Sequence, residues 1–245
     1  MNQLRHIKEF KAALKDYHLG EETLHTLSQT KLVLLVAATS SGRNTIIHEV
    51  LRTGDYHYVI SDTTRKPRIN DGILEQNGRE YWFKTEEEFL ENIHAGRYLE
   101  AAVIHNQQMA GISVEELRRA QDEGKIAITD AEIAGADNAT KYKPDTISIF
   151  ILPPSFDEWQ KRLKHRGHME AGEFVRRMQS ACREFEVALQ RDYYHFVIND
   201  TVEEAATEIN HIAKLGASDA EQQQRGRRLA EQLLVETQAL LKSLS

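Results

Sequence analysis

The stretch LVLLVAATSSGRNTIIHEVL, residues 32–51, decides how this chain is read. An apolar run ends in small residues, and an amphipathic segment follows. A buried strand feeding a tight loop into a helix is the layout of a phosphate-binding P-loop. Backbone N–H groups and the helix dipole there converge on an anion. The usual spelling is G-x-x-x-x-G-K-[ST], and the matching window here reads AATSSGRN, residues 37–44. Gly42 keeps the second glycine, while Ala37 stands for the first, Arg43 for the lysine and Asn44 for the hydroxyl residue. Ala37, Ala38, Ser40, Ser41 and Gly42 are small enough for backbone to approach a phosphate. Arg43 keeps the charge but is longer and planar. Asn44 offers a hard oxygen to a cation, and Thr45 beside it should point elsewhere on the helix. Ala37 and Ser40 restrict positive φ where glycine would not. By itself the window fits any α/β turn as well as a phosphate site.

The 245 residues allow one medium α/β domain with extensions. Hydrophobic residues make up 40% and charged residues 28%, the balance of a globular chain rather than a disordered one. No apolar run approaches the roughly 20 residues that span a bilayer, and the first residues lack a signal peptide's apolar core. The one cysteine, Cys182, excludes an internal disulfide and a cysteine-based metal cluster. A cytoplasmic location and no membrane partner are therefore expected. The formal charge of −7 argues against a nucleic-acid partner, so an anionic ligand needs a local basic site.

Residues 1–30 read as helical, with Leu4, Ile7, Phe10 and Leu14 on one face and Gly20 as a stop. From Lys31 onward, strands alternate with helices, which implies a mostly parallel sheet covered on both faces. KLVLLVAA, YHYVIS, REYWF, RYLEAAVIH, KIAITDAE, DTISIFILPP and YHFVIND read as strands. TTRKPRINDGILEQNG reads as a loop by its Pro, Gly and Asn content. Thr85 with Glu88, and Ser113 with Glu116, carry the spacing of helix capping boxes. In residues 217–245, Leu229, Leu233, Leu240 and Leu244 share a face, as expected of a helix docked on the domain.

A second motif follows the strand YHYVIS. Ser61-Asp62-Thr63-Thr64-Arg65-Lys66-Pro67-Arg68 sets two arginine forks three residues apart, a pattern suited to phosphate oxygens. Asn77-Gly78-Arg79-Glu80-Tyr81-Trp82-Phe83 comes next. Together these resemble the GMP-binding region of guanylate kinases. The resemblance continues in order through Phe89-Leu90 to Tyr98-Leu99-Glu100, through residues 128–135 (ITDAEIAG) and SIFILPPS, and through Arg162-Leu163-x-x-Arg166-Gly167, Arg177-Met178 and Val197-Ile198-Asn199-Asp200. It covers about residues 31–213, and its specificity lies in many motifs in one order.

The resemblance implies a P-loop NTPase-like α/β core with a parallel sheet and helices on both faces. It also implies a small mixed β subdomain for GMP, about residues 61–113, and a helical lid, about 162–178. Residues 1–30 and 214–245 are then extra terminal helices, expected to serve a homodimer or partner contact. The activity implied is transfer of the ATP γ-phosphoryl group to GMP, or dGMP, with Mg²⁺ arriving on ATP. Carried over by position, Ser61, Arg65, Arg68 and Tyr81 would hold the acceptor phosphate, with Glu75 nearby. Glu100 would accept guanine N–H groups, and Glu132 would lie near the base. Ala37, Ala38, Thr39, Ser40, Ser41, Gly42, Arg43, Asn44, Thr45 and Asn199 would surround ATP. Asn44 is the weak Mg²⁺ ligand, with Asp130 a candidate partner behind it. Arg43, Arg162, Arg166 and Arg177 would neutralise the transferring group, whose charge is the main catalytic problem. Ala110 and Ile112 stand where the family has hydroxyl side chains, and the loop from Arg68 to Glu75 is longer than usual. The alternatives are a guanylate-kinase-like pseudoenzyme that binds nucleotide or protein, and a regulator read out through the terminal helices.

Overall fold

The computed structural model describes residues 4–70, 72–165 and 171–244. Helices α1 (Ile7–Lys15) and α2 (Glu21–Gln29) precede strand β1 (Leu32–Ala37) and helix α3 (Arg43–Leu51). Five short strands follow: β2 (Tyr56–Tyr58), β3 (Asp62–Thr63), β4 (Ile69–Asn70), β5 (Ile73–Leu74) and β6 (Trp82–Phe83). Helix α4 (Glu86–His94) leads to β7 (Tyr98–Ile104), β8 (Gln108–Ser113) and α5 (Val114–Asp122). Then come β9 (Ile126–Asp130), α6 (Ile133–Tyr142), β10 (Ile147–Leu152), α7 (Phe156–His165) and α8 (Ala171–Leu189). The chain closes with β11 (Tyr194–Ile198), α9 (Val202–Leu215) and α10 (Ala220–Ser243). It divides into two compact units, one of residues 1–31, 56–127 and 141–143, the other of 32–55, 128–140 and 144–245.

The first unit is built on a four-stranded sheet in the order β6-β3-β8-β7. β8 runs antiparallel to both β7 and β3, and β3 is parallel to β6. Phe10 of α1 meets Phe89 of α4 edge-on at 6.2 Å, and Phe89 stacks on Tyr98 at 4.3 Å. The Tyr17 hydroxyl donates to the Tyr98 carbonyl at 2.5 Å and accepts from its N–H at 2.8 Å. These contacts make the N-terminal helices part of this unit's core. Thr85 and Glu88 form the expected capping box. Ser113 does not: it occupies the N-cap of α5 without a side-chain bond to the first turn. Glu116 instead accepts from Ile60 N–H at 2.8 Å and Trp82 Nε1 at 2.9 Å.

One expectation is corrected here, and one strand the sequence left unread is added. The stretch read as a loop contains an antiparallel hairpin, with Ile69 opposite Leu74 and Asn70 opposite Ile73. The Asp-Gly pair at 71–72 is a hairpin-turn sequence, and Gly72 takes φ 78°. The segment at 108–113 is also a strand, β8. Ala and Gly in it weaken the apolar alternation by which strands are recognised.

The second unit has parallel strands in the order β11-β10-β1-β9. Leu35 sits opposite Ile149, and Ile149 opposite His195. Every residue of β10 is buried, as befits a parallel strand covered on both faces. Phe150 lies at the centre of an aromatic cluster, with Phe185 at 6.0 Å, Tyr194 at 5.6 Å and Phe196 at 6.0 Å. Helix α10 packs along α8 and β11. Its buried stripe is Gly226, Ala230, Leu233 and Thr237, so of the four expected leucines only Leu233 is fully buried and Leu244 is exposed. A β-carbon at Gly226 would lie 2.5 Å from Phe196 Cβ, so glycine allows this close approach. Gln223 then completes the edge of β11, accepting from Phe196 N–H at 2.9 Å and donating to the Tyr194 carbonyl at 2.7 Å.

Candidate functional site

In the second unit, β1 ends at Ala37 and α3 begins at Arg43, so the intervening loop delivers backbone to a helix N-terminus. Gly42 is the N-cap at φ 95°, and a β-carbon there would strike Asn199 Nδ2 at 2.1 Å. Asn199 Nδ2 donates to the Ser41 carbonyl at 2.7 Å and fixes the loop's far side. Trp159 of α7 fixes the near side through Nε1–H to the Thr39 carbonyl at 2.7 Å. Ser40 holds a left-handed backbone at φ 64° despite its β-carbon. The hydroxyls of Ser40 and Ser41 are buried and meet no hydrogen-bond partner among the described residues.

The loop walls a cavity of about 300 Å³ with Ala37, Ala38, Thr39, Arg43, Asn44 and Thr45 also in its lining. Thr45 thus shares the cavity, contrary to the expectation that it points elsewhere. Glu132 and Glu184 face the same space. Arg43 is not free in it: Nη2 pairs with Asp130 Oδ2 at 2.9 Å, and Nη1 donates to the Ala131 carbonyl at 3.4 Å. Asp130 thereby holds Arg43 directly. Arg162 is held by Glu158 at 3.2 Å and donates to the Asn199 carbonyl at 3.3 Å. Arg177 is held by Glu173 at 2.5 Å and makes a long contact to Thr39 Oγ1 at 3.5 Å. Arg162 and Arg177 are thus each directed by a glutamate one helical turn before it. Arg166 lies outside the described residues.

Two residues of this site escaped the sequence reading. Trp159 carries no motif signal. Glu184 lies two turns beyond Arg177 on α8, so helical spacing set it on the same face. Burial pushes the Glu184 carboxyl above its ordinary pKa; the Ser180 hydroxyl at 2.9 Å opposes this, and the charge of Glu132 adds to it.

In the first unit, Arg65 lies over the Tyr81 ring at 4.6 Å and near Phe83 at 5.7 Å. Glu75 grips it bidentately, at 2.5 and 2.8 Å, and also accepts from the Arg68 N–H at 2.8 Å and Asn70 Nδ2 at 3.1 Å. The Arg65 bonds, aided by the Arg68 N–H, hold the Glu75 carboxyl down at about 2. The Arg68 side chain is exposed and forms no ion pair among the described residues. Ser61 accepts Trp82 N–H at its carbonyl, which ties it beside β6. Glu100 stands on β7 opposite Ile112, and Ala110 lies opposite Thr63. The structure therefore gathers Arg65, Arg68, Glu75 and Tyr81 into one cluster. Glu132, expected with the base-binding group, belongs to the other unit and lines the P-loop cavity.

The sequence model of the guanylate kinase family matches residues 29–215. The chain belongs to the guanylate kinase family. It is 34% identical over 185 residues to the guanylate kinase of Corynebacterium efficiens, covering 74% of this chain and 94% of that one. To the guanylate kinase of Porphyromonas gingivalis it is 36% identical over 176 residues, covering 71% and 91%. The crystal structure of guanylate kinase from Anaplasma phagocytophilum shares the fold at TM-score 0.55 and 23% identity, over 79% of this chain and 89% of that one. Among the described residues no helix is long and apolar enough to cross a membrane. Ala37, Arg43 and Asn44 are the positions at which residues 37–44 depart from the usual G-x-x-x-x-G-K-[ST] spelling.

Proposed function

We propose that this chain transfers the γ-phosphoryl group of ATP to GMP, forming ADP and GDP. The observation that carries the reading is the pair of buried, partnerless hydroxyls of Ser40 and Ser41 in the P-loop cavity. A buried hydroxyl without a partner costs about 1–3 kcal/mol, and a phosphate oxygen relieves that cost. On the donor side, loop N–H groups and these hydroxyls would bind the ATP phosphates, with Arg43, Arg162 and Arg177 countering their charge. On the acceptor side, Arg65, Arg68 and Tyr81 would bind the monophosphate, and Glu75 keeps the Arg65 fork aimed. Glu100 would accept guanine N–H groups.

Mg²⁺ carried by ATP would neutralise phosphate charge and keep most of its waters. Asn44 suits it: the side chain is exposed on the cavity wall and makes no hydrogen bond among the described residues. One observation favours a binding-only reading, namely the Arg43–Asp130 pair, which already engages the P-loop cation. A coupled assay with Mg-ATP and GMP decides between them. Arg65→Ala is expected to raise the GMP KM at least tenfold, whereas GMP binding without turnover in the unaltered chain refutes the kinase reading.

A further inference from the structure

We propose that a second cavity on the first unit, built around Asp62, binds a phosphate group that carries a proton. The cavity holds about 190 Å³, too small for a nucleotide. It is distinct from the Arg65 cluster by strand alternation. Tyr81 and Phe83 face Arg65, while Trp82 between them lines this cavity. Asp62 likewise opposes Thr63 in β3.

Asp62 is 1% exposed, yet it lines the cavity. One oxygen, Oδ2, accepts from the Tyr98 hydroxyl at 2.8 Å, and Oδ1 accepts no hydrogen bond among the described residues. Ser113 is 5% exposed, lines the same cavity and bonds nothing in the first turn of α5. The N-terminus of that nine-residue helix therefore presents a hydroxyl and N–H groups to the cavity. Lys84, Arg97 and Arg119 bring three cations to the wall, against Asp62 and Glu115. Lys84 forms no ion pair among the described residues. Arg97 is lightly engaged, donating to Asn92 Oδ1 at 3.3 Å. Arg119 is shared with Glu116 at 2.6 Å and lies over the Trp82 ring at 4.1 Å.

A cationic wall selects an anion. The buried carboxylate inside it selects further, because a fully ionised anion would set oxygen lone pairs against Asp62. Hydrogen phosphate satisfies both groups: its P–OH donates to Asp62 Oδ1, and its other oxygens accept from Lys84, Arg97 and Ser113. An O–H···O⁻ bond of this kind is among the stronger hydrogen bonds. Sulfate has the same shape and no proton near neutral pH, so it is the discriminating probe. The Asp62 carboxyl is pushed up to about 6, chiefly by burial, and is still an acceptor at pH 7.5. This site adds to the proposed transfer reaction and does not depend on it.

The test is calorimetric titration of the full chain at pH 7.5 with inorganic phosphate, methyl phosphate and sulfate. Phosphate is expected to bind at least tenfold more tightly than sulfate. Lys84→Met, a half-exposed change that leaves the core intact, should weaken phosphate at least tenfold. Asp62→Asn should remove the preference over sulfate, since an amide can donate to either ion. Arg65→Met and Arg43→Met should leave the binding in place. Methyl phosphate matching inorganic phosphate assigns the site to an ester, and tenfold weaker binding assigns it to the free ion. Equal affinity for sulfate overturns the proposal, as does loss of binding in Arg65→Met or Arg43→Met but not in Lys84→Met.

Discussion

Arg43 shows how a single residue can keep a charge and change its use. Its planar fork reaches both Asp130 Oδ2 and the Ala131 carbonyl. Lysine has no fork to span the two. Arg43→Lys therefore restores the usual motif letter without restoring the usual geometry, and kcat/KM for ATP should not increase. A tenfold gain would show Arg43 to be a simple defect. Asp62 makes a second residue-scale prediction. Its carboxyl faces Tyr98 of β7, Lys84, Arg97, and Glu115, Glu116 and Arg119 of α5. Its folded pKa of about 6 lies above the ordinary 3.8. Stability from this group is thus full below about pH 4 and is lost as pH rises through about 6, by up to about 3 kcal/mol. Asp62→Asn should flatten that fall in urea-denaturation stability between pH 4 and 8; an unchanged slope would place its cause elsewhere. Arg65 and Tyr81 were legible in the sequence because their motif is local. Glu184 and Trp159 were not, because each reaches the P-loop from a distant helix.

Among elements, legibility followed length and periodicity. β1 is an unbroken apolar run and β10 is one interrupted only by Ser148, and both stand where the sequence put them. The two-residue strands β4 and β5 offer no period to read, and only the Asp-Gly turn marks them. Helix α6 begins at Ile133, inside the ITDAEIAG motif, and Glu132 before it is not a favoured N-cap residue type. Helix α4 is the opposite case, because its capping box was visible and is formed. Thr85→Ala should cost about 1 kcal/mol of stability by removing that cap; a change below a few tenths, measured by thermal denaturation, would show that tertiary packing alone sets the start of α4. In α10 the leucine pattern named a face, but the closest approach is made by glycine. Gly226→Ala drives a methyl into Phe196 and should cost about 1–3 kcal/mol. A neutral result would mean that α10 shifts freely along β11.

For the molecule as a whole, the order of motifs fixed the family, while the terminal segments had to be seen. Residues 4–29 look like an appendage in sequence because no family motif reaches them. In the structure the buried Phe10 packs on Phe89, and the half-buried Tyr17 bonds the backbone of Tyr98. The C-terminal helix likewise completes the edge of β11 through Gln223. The P-loop cluster and the Arg65 cluster lie one in each unit. The buried, partnerless hydroxyls of Ser40 and Ser41 belong to one, and the Arg65–Tyr81 cluster to the other. The central claim is that these clusters serve one transfer reaction despite Arg43 and Asn44. It is tested most directly by ³¹P NMR of the purified chain with Mg-ATP and GMP. The account predicts that the γ-phosphate signal of ATP is replaced by matched ADP and GDP signals, and that AMP in place of GMP gives far slower transfer. ATP that remains intact while GMP is bound would contradict it.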